Sequence, residues 1–327
     1  MLQKINWGII GCGDVTEIKS GPAFNKVQNS SLVAVMRRDA EKAKDYAERH
    51  NVPKWYNNAT DLINDPDVNA IYIATPPSSH EEHTIAAIKA GKPVYVEKPM
   101  TINVDSALRM AEAADKKQVK LVVAHYRREQ PMFKKIKALL VEKVISDIRF
   151  VKLEYYKRSL TNEELKIPKN KWRVDPSIAG GGLFYDLAPH QLDMMYYFFG
   201  DAEQINGIAF NQEKLYYAED ITTGTILFKN GIIFNGLWSF NVNEKHEKDI
   251  IEIVGTKGTI QFAVFGEPKI MMMIDGKKEN FLFDKLQHVQ QPMIQKAVDH
   301  FLDKAPNPCT AAEGVKVMEM MEKISKK

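Results

Sequence analysis

Residues 5–125 alternate short apolar runs with amphipathic segments, and this alternation restricts the fold more than any other feature. "INWGIIG" (5–11), "LVAVM" (32–36), "AIYIAT" (70–75), "VYVE" (94–97) and "KLVVAH" (120–125) are too short for core helices. They are also too evenly apolar for strands with one wet face. Between them, residues 14–27, 39–50, 80–90 and 103–117 carry helical patterns. Short buried strands separated by helices imply a parallel sheet covered on both faces. Ser79 and Glu82 have capping-box spacing ahead of residues 80–90, which Gly91 and Pro93 close.

The character changes near residue 125. A helical pattern (130–142) precedes "SDIRFVKLEYYKR", whose alternation marks a half-exposed strand. An irregular stretch (159–182) leads to a helix over 183–199, and residues 203–275 are almost all strand-like. Hairpin turns are expected at "KNG" (229–231) and "GTKG" (255–258), and two helices close the chain (287–304 and 311–325). Strands in succession with segregated helices indicate an α+β domain on a largely antiparallel sheet. The expected organisation is therefore two domains, 1–125 and 126–327, in keeping with 327 residues that are 44% hydrophobic. An open sheet of this kind leaves an apolar face, from which a homodimer or homotetramer through the C-terminal sheet is expected.

Charge excludes several classes. Forty-five Lys and Arg against 42 Asp and Glu leave a formal charge of +3, with no long basic block. Neither nucleic acid nor an anionic membrane is an expected partner. Cys12 and Cys309 lie far apart and form no metal-ligand spacing, so no metal site is expected and a reducing, cytoplasmic setting is. No apolar stretch approaches a membrane span, and "MLQKINWGIIG" lacks a signal-peptide layout.

"GIIGCGDVT" sets Gly11-x-Gly13 between the first strand and the first helix. Glycine permits the tight turn, and a second glycine lets backbone approach a pyrophosphate at the helix N-terminus. Thr16 replaces the third glycine of the usual fingerprint. Glycine turns also join strands to helices for steric reasons alone, but here further βα units follow. Gly11, Cys12, Gly13, Asp14, Val15 and Thr16 are thus candidate cofactor-binding residues. The second strand ends in "AVMRRD", with Arg37 where an NAD-binding acid would stand. Arginine cannot accept the ribose hydroxyls but pairs with a 2′-phosphate. With Arg38 and Lys42 adding charge, NADP is expected and NAD is the alternative; a merely solvated strand end is the plainer reading.

The glycine turn, "ATPPSSHEEHTIAAIKAGKPVYVEKP" (74–99) and "AGGGLFYDLAPHQLD" (179–193) together resemble the Gfo/Idh/MocA oxidoreductases. The resemblance extends to "KWRVDP" (171–176) and "EIVGTKGTIQF" (252–262). It implies a Rossmann domain followed by a domain with a large open sheet. It further implies hydride transfer between a nicotinamide and a carbinol carbon of a sugar, anhydrosugar or polyol. By position, Lys98 matches the family's catalytic lysine, and Asp186 and His190 its pair on the active-site helix. Ala188 and Pro189 depart from the glycine common within that pair, and Arg37 departs at the second strand.

Oxidising a secondary alcohol removes a hydroxyl proton while hydride leaves to nicotinamide C4. An imidazole titrating near neutrality suits the proton transfer, so His190 is the first candidate. Asp186, four residues earlier, shares its helical face. Lys98, at the carboxyl end of a parallel strand, is either a solvated cap or an ammonium that stabilises the developing alkoxide. The proton-transfer role stays open between Lys98 and His190. The Lys98–Pro99 bond is expected to be cis. Thr75, Pro76 and His80 are candidates to line the cofactor, and Glu97 to bond the nicotinamide ribose or a structural partner. Tyr126, Arg127, Trp172 and Arg173 are candidate substrate-pocket walls. All three candidates expected to converge on one cleft (Lys98, Asp186, His190) favour an enzyme over a non-catalytic dinucleotide sensor on the same fold.

Overall fold

The computed structural model describes residues 3–326. It divides into two compact units. The first comprises the chain up to Arg127 together with Leu286–Val315; the second comprises Arg128–Lys285 and residues from Lys316 onward.

In the first unit six strands form one parallel sheet: β1 (Ile5–Ile10), β2 (Ser30–Met36), β3 (Lys54–Tyr56), β4 (Ala70–Ile73), β5 (Val94–Val96) and β6 (Leu121–Val123). Their order is β3-β2-β1-β4-β5-β6, so the winding reverses between β1 and β4. The helices are α1 (Asp14–Ile18), α2 (Ala40–Arg49), α3 (Ala59–Asn64), α4 (His80–Lys89) and α5 (Val104–Lys117). β1, β4, β5 and β6 are buried along almost their whole length, as strands covered on both faces must be.

Two local expectations change. The first helical pattern breaks at Ile18 and resumes as a 3₁₀ turn at Gly21–Asn25, where Pro22 cannot continue an α-helix. The spacing of Ser79 and Glu82 makes no capping box. A 3₁₀ turn (Pro77–Ser79) runs straight into α4, and the Ser79 hydroxyl donates back to the Pro76 carbonyl at 3.1 Å.

The division of the chain also differs from a single boundary at residue 125, because Leu286–Val315 belongs to the first unit. Helix α11 (Gln291–Phe301) sets the Phe301 ring 5.5 Å from Trp7 of β1. The Lys120 ammonium bonds the His300 and Phe301 carbonyls and Asp303, and Thr310 bridges to Val122. These contacts join residues 180 or more positions apart, which no local pattern encodes.

The second unit opens with α6 (Pro131–Val141) and β7 (Ile148–Arg158). The stretch expected to be irregular holds three short helices, α7 (Asn162–Lys166), α8 (Pro168–Arg173) and α9 (Pro176–Ala179), before α10 (Leu183–Phe199). There follow β8 (Ala202–Phe210), β9 (Ile221–Phe228), β10 (Ile233–Val242), β11 (Lys248–Gly255), β12 (Gly258–Phe262), β13 (Lys269–Ile274) and β14 (Lys277–Leu282). The sheet runs β14-β13-β12-β11-β7-β10-β9-β8 and is antiparallel except where β7 meets β10. Both expected hairpins join antiparallel neighbours, β9 with β10 and β11 with β12. The last helix is α12 (Ala311–Ser325). Among the described residues no helix is long and apolar enough to cross a membrane, and no cluster of His, Cys, Asp or Glu could hold a metal ion.

Candidate active site

In the first unit the chain leaves β1 at Gly11 with φ +95, where a Cβ would lie 2.8 Å from the Thr75 backbone nitrogen. Only glycine lets the turn approach β4 this closely. The Gly11 and Cys12 N–H groups both donate to the Met36 carbonyl, at 2.9 and 3.1 Å. The turn is thereby pinned where the sheet's winding reverses, the position at which doubly wound sheets bind ligands. Gly13 is extended, and a Cβ there would meet nothing nearer than the Gly11 carbonyl at 4.0 Å. Asp14 is exposed and Val15 half-buried. Thr16 is fully buried: its hydroxyl donates to Gly13 O at 2.8 Å, and its carbonyl accepts from the Tyr46 hydroxyl at 2.8 Å. Bonding thus does here what close packing on a glycine does elsewhere. Burial pushes the Cys12 thiol up to about 11, which makes it a poor nucleophile.

Arg37 follows β2, and its guanidinium donates to the Cys12 carbonyl at 3.3 Å, so it lies against the turn itself. Arg38 is exposed. Lys42 pairs with Asp39, the N-cap of its own helix, at 2.9 Å. Across the turn, the Thr75 hydroxyl oxygen is buried with no hydrogen-bond partner among the described residues. Open space at Gly13, an unsatisfied hydroxyl at Thr75 and two arginines at the end of β2 together fit a dinucleotide. Pro76 precedes the 3₁₀ turn, and His80 lies fully buried behind it. The His80 ring nitrogens sit 2.7 Å from Thr75 O and 3.1 and 3.2 Å from the Pro99 and Met100 carbonyls. Burial pulls this imidazole down to about 4, against the opposing pull of those carbonyls. His80 therefore ties the chain after β4 to the chain after β5 and presents no edge to a cofactor.

β5 ends in Glu97 and Lys98, and the Lys98–Pro99 bond is cis, as expected. Lys98 is half-buried at the carboxyl end of its strand. Glu97 is only 6% exposed, and its carboxylate is bonded by protein groups. Tyr126 is buried just after β6, with the Arg127 guanidinium 5.6 Å over its ring.

In the second unit α10 carries Asp186 in its first turn and His190 one turn on, past Pro189, and stays one helix. Gly182 starts it beside the Ala218–Glu219 backbone, where a Cβ would meet Ala218 Cβ at 2.7 Å. Gln191 accepts from the Trp238 indole N–H at 2.7 Å, and Lys137 caps the last carbonyls at Tyr197 and Phe198. Arg128 and Asp193, both almost fully buried, form an ion pair with a shortest contact of 2.7 Å. His190 is 5% exposed and packs edge-on against Phe265, with centroids 5.4 Å apart. The loop bearing Phe265 hangs on Asp249, whose carboxylate accepts three backbone N–H bonds from residues 264–266. Asp186 pairs with Arg173 at 3.1 Å, and Arg173 stacks on Trp172 at 5.3 Å.

The expected residues thus gather within their units. Gly11–Thr16, Arg37, Thr75, Glu97 and Lys98 lie at the carboxyl ends of the parallel strands; Trp172, Arg173, Asp186 and His190 lie around the start of α10. Sequence reading missed Tyr72, Gln290, Arg128, Asp249 and Phe265. Asp193, three residues after His190 on a largely apolar helix, was a signal that a buried cation must exist. Nothing local pointed to Gln290 or Asp249.

A family model described as an oxidoreductase family with an NAD-binding Rossmann fold matches residues 5–125, and a GFO/IDH/MocA C-terminal domain model matches residues 133–261. Oxidoreductase P35 of Formosa agariphila is 45% identical over 98% of both chains. A trans-1,2-dihydrobenzene-1,2-diol dehydrogenase of Xenopus tropicalis is 27% identical over 88% of this chain and 83% of that one. Among solved structures, a levoglucosan dehydrogenase in complex with NADH and levoglucosan superposes with a TM-score of 0.87 at 21% identity, covering 98% of this chain and 96% of that one.

Proposed function

Since the chain belongs to the Gfo/Idh/MocA family of NAD(P)-binding oxidoreductases, we propose that it transfers hydride between a nicotinamide and a secondary alcohol or ketone carbon of a sugar, anhydrosugar or polyol. The observation that carries this reading is Lys98 at the carboxyl end of β5, on the same sheet edge as the Gly11 turn. Relatives named for a cyclic diol and for levoglucosan support the substrate class.

When bound, the nicotinamide supplies the hydride acceptor or donor. Gly11–Thr16, Thr75 and the arginines after β2 would hold the dinucleotide. His190 takes or returns the hydroxyl proton, and Asp186 orients substrate or imidazole. The Lys98 ammonium stabilises the oxygen as it gains charge. Trp172 and Arg173, with Tyr126 and Arg127, offer stacking surface and donors to hydroxyls. This reading requires Lys98, Asp186 and His190 to act on one substrate carbon.

Arg37 favours NADP over NAD. A charge-assisted bond to a 2′-phosphate contributes roughly 1.5–3 kcal/mol, about tenfold to a hundredfold in affinity. Arg37→Asp should reverse the preference; equal NADH and NADPH affinities in the wild type would remove the NADP assignment. The decisive experiment follows NADPH and NADH absorbance against a panel of sugars, anhydrosugars and inositols. Turnover lost in Lys98→Ala supports the reading, and an enzyme that binds neither nucleotide refutes it.

We further propose a cytoplasmic setting, supported by two buried cysteines that form no disulfide, and a homo-oligomer through the second sheet. On the face turned from α10, Ile208 and Phe210 of β8 are 62% and 61% exposed, and register sets them beside Thr223 and Ile221 of β9. Ile208→Lys with Phe210→Lys should yield monomers in light scattering.

A further inference from the structure

The carboxylate of Glu97 is held inside the first unit by three donors. Its Oε1 accepts from the Tyr72 hydroxyl at 2.6 Å and from the Gln290 side-chain amide at 2.5 Å. Its Oε2 accepts the Lys98 backbone N–H at 3.1 Å. The donors come from β4, from the residue before α11, and from the strand end itself. Each is oriented in turn. The Tyr95 hydroxyl donates to Gln290 Oε1 at 3.1 Å, which turns the amide nitrogen toward Glu97. The Gln290 backbone N–H donates to Lys19 O at 3.2 Å. The Tyr72 hydroxyl also lies 3.1 Å from the Ser20 hydroxyl, and its ring stacks on Tyr95 with centroids 5.2 Å apart. Burial raises both phenols well above their usual range, so they remain donors at working pH.

An ionised carboxylate out of water costs several kcal/mol unless its lone pairs are filled. Here protein donors fill both sites on Oε1 and one on Oε2, and burial to 6% exposure shields the carboxylate from a cofactor hydroxyl. Building on the dehydrogenase reading, we propose that Glu97 is a positioning residue and not a cofactor ligand: Tyr72 and Gln290 hold its carboxylate, and the carboxylate fixes the backbone that presents Lys98. Gln290 thereby makes the far C-terminal segment a brace for the catalytic strand end.

The test begins without cofactor or substrate, by backbone hydrogen exchange. In Tyr72→Phe and in Gln290→Leu the Lys98 amide should exchange at least about tenfold faster, the loss of one bond's worth of protection. The Glu97 amide, which donates to Ile73 O at 2.9 Å, should keep its rate and reports that the sheet is intact. Tyr72→Phe is isosteric and serves if Gln290→Leu does not fold. In Glu97→Gln, kcat should fall about tenfold or more while NADPH affinity changes less than about twofold. Unchanged Lys98 exchange in both brace variants overturns the proposal. So does a Glu97→Gln enzyme whose NADPH affinity drops tenfold with kcat intact. A wild type that turns over no substrate refutes the dehydrogenase reading instead, and exchange still decides the brace.

Discussion

The two halves of the candidate machinery are held by different forces. Lys98 stands at the end of a buried parallel strand, where hydrogen bonds fix the backbone on either side. Glu97 is bonded by Tyr72 and Gln290, and His80 reaches the Pro99, Met100 and Thr75 carbonyls. His190 rides on a helix, and its ring meets an aromatic edge carried by a loop that Asp249 organises. Ion pairs at Arg128–Asp193 and Arg173–Asp186 set the helix around it. A buried polar bracket is all-or-none, since each lost donor leaves an unsatisfied partner. A packed ring degrades by degrees, because each aromatic contact contributes only about 0.5–1.5 kcal/mol.

That contrast can be broken at several points. The largest effect is expected for His190→Asn, which removes the proposed proton-transfer group and should lower kcat roughly 10²–10⁴-fold. Nicotinamide affinity, measured by fluorescence titration, should stay within about twofold of wild type; retention of kcat would transfer the proton role to Lys98. Lys98→Ala should lower kcat roughly 10²–10³-fold, the usual effect of losing one stabiliser of developing charge. A loss confined to cofactor affinity would make Lys98 a binding residue only.

Acid separates the two regions next. The folded-state value of His80, about 4, lies below the ordinary 6.5, so the neutral ring favours the fold. Its contribution is fully present above about pH 6.5 and is lost as pH falls toward 4, on the order of 3 kcal/mol. Urea unfolding of wild type and His80→Gln at pH 7.5 and 4.5 checks this, and the variant should show the shallower loss. Equal slopes would mean that the imidazole is already protonated between its carbonyls.

The smallest effect is expected at Phe265. Phe265→Leu removes the edge-on contact with His190 and should reduce kcat roughly two- to tenfold, in line with one aromatic pair. Phe265→Tyr, which keeps the ring, should rescue it. A loss as large as that of His190→Asn would mean that the ring contact is as indispensable as the bracket around Lys98.

Much of this was legible beforehand wherever the signal is local. The five apolar runs named their strands because a strand buried on both faces tolerates little else. Gly11 and the Lys98–Pro99 turn are constraints written at single positions, and Asp186 and His190 share a face by helical spacing alone. The capping box at Ser79 failed because a 3₁₀ turn, which depends on Pro77, already supplies the helix with its first bonds. Spacing left Glu97 open between a ribose and a structural partner because two of its three donors, Tyr72 and Gln290, are remote along the chain.

The sequence by itself determined five of the six parallel strands and the parallel and antiparallel character of the two sheets, and it singled out the candidate site residues. Those properties follow from periodicity and backbone sterics, which act over a few residues. Tertiary structure alone decided that Leu286–Val315 returns to the first unit, that Gln290 closes on Glu97 and that Asp249 carries the loop against His190. Burying a charge demands partners at bonding distance, but that demand is indifferent to separation along the chain. Gln290 lies 193 residues from Glu97, and only the folded packing brings its amide within 2.5 Å.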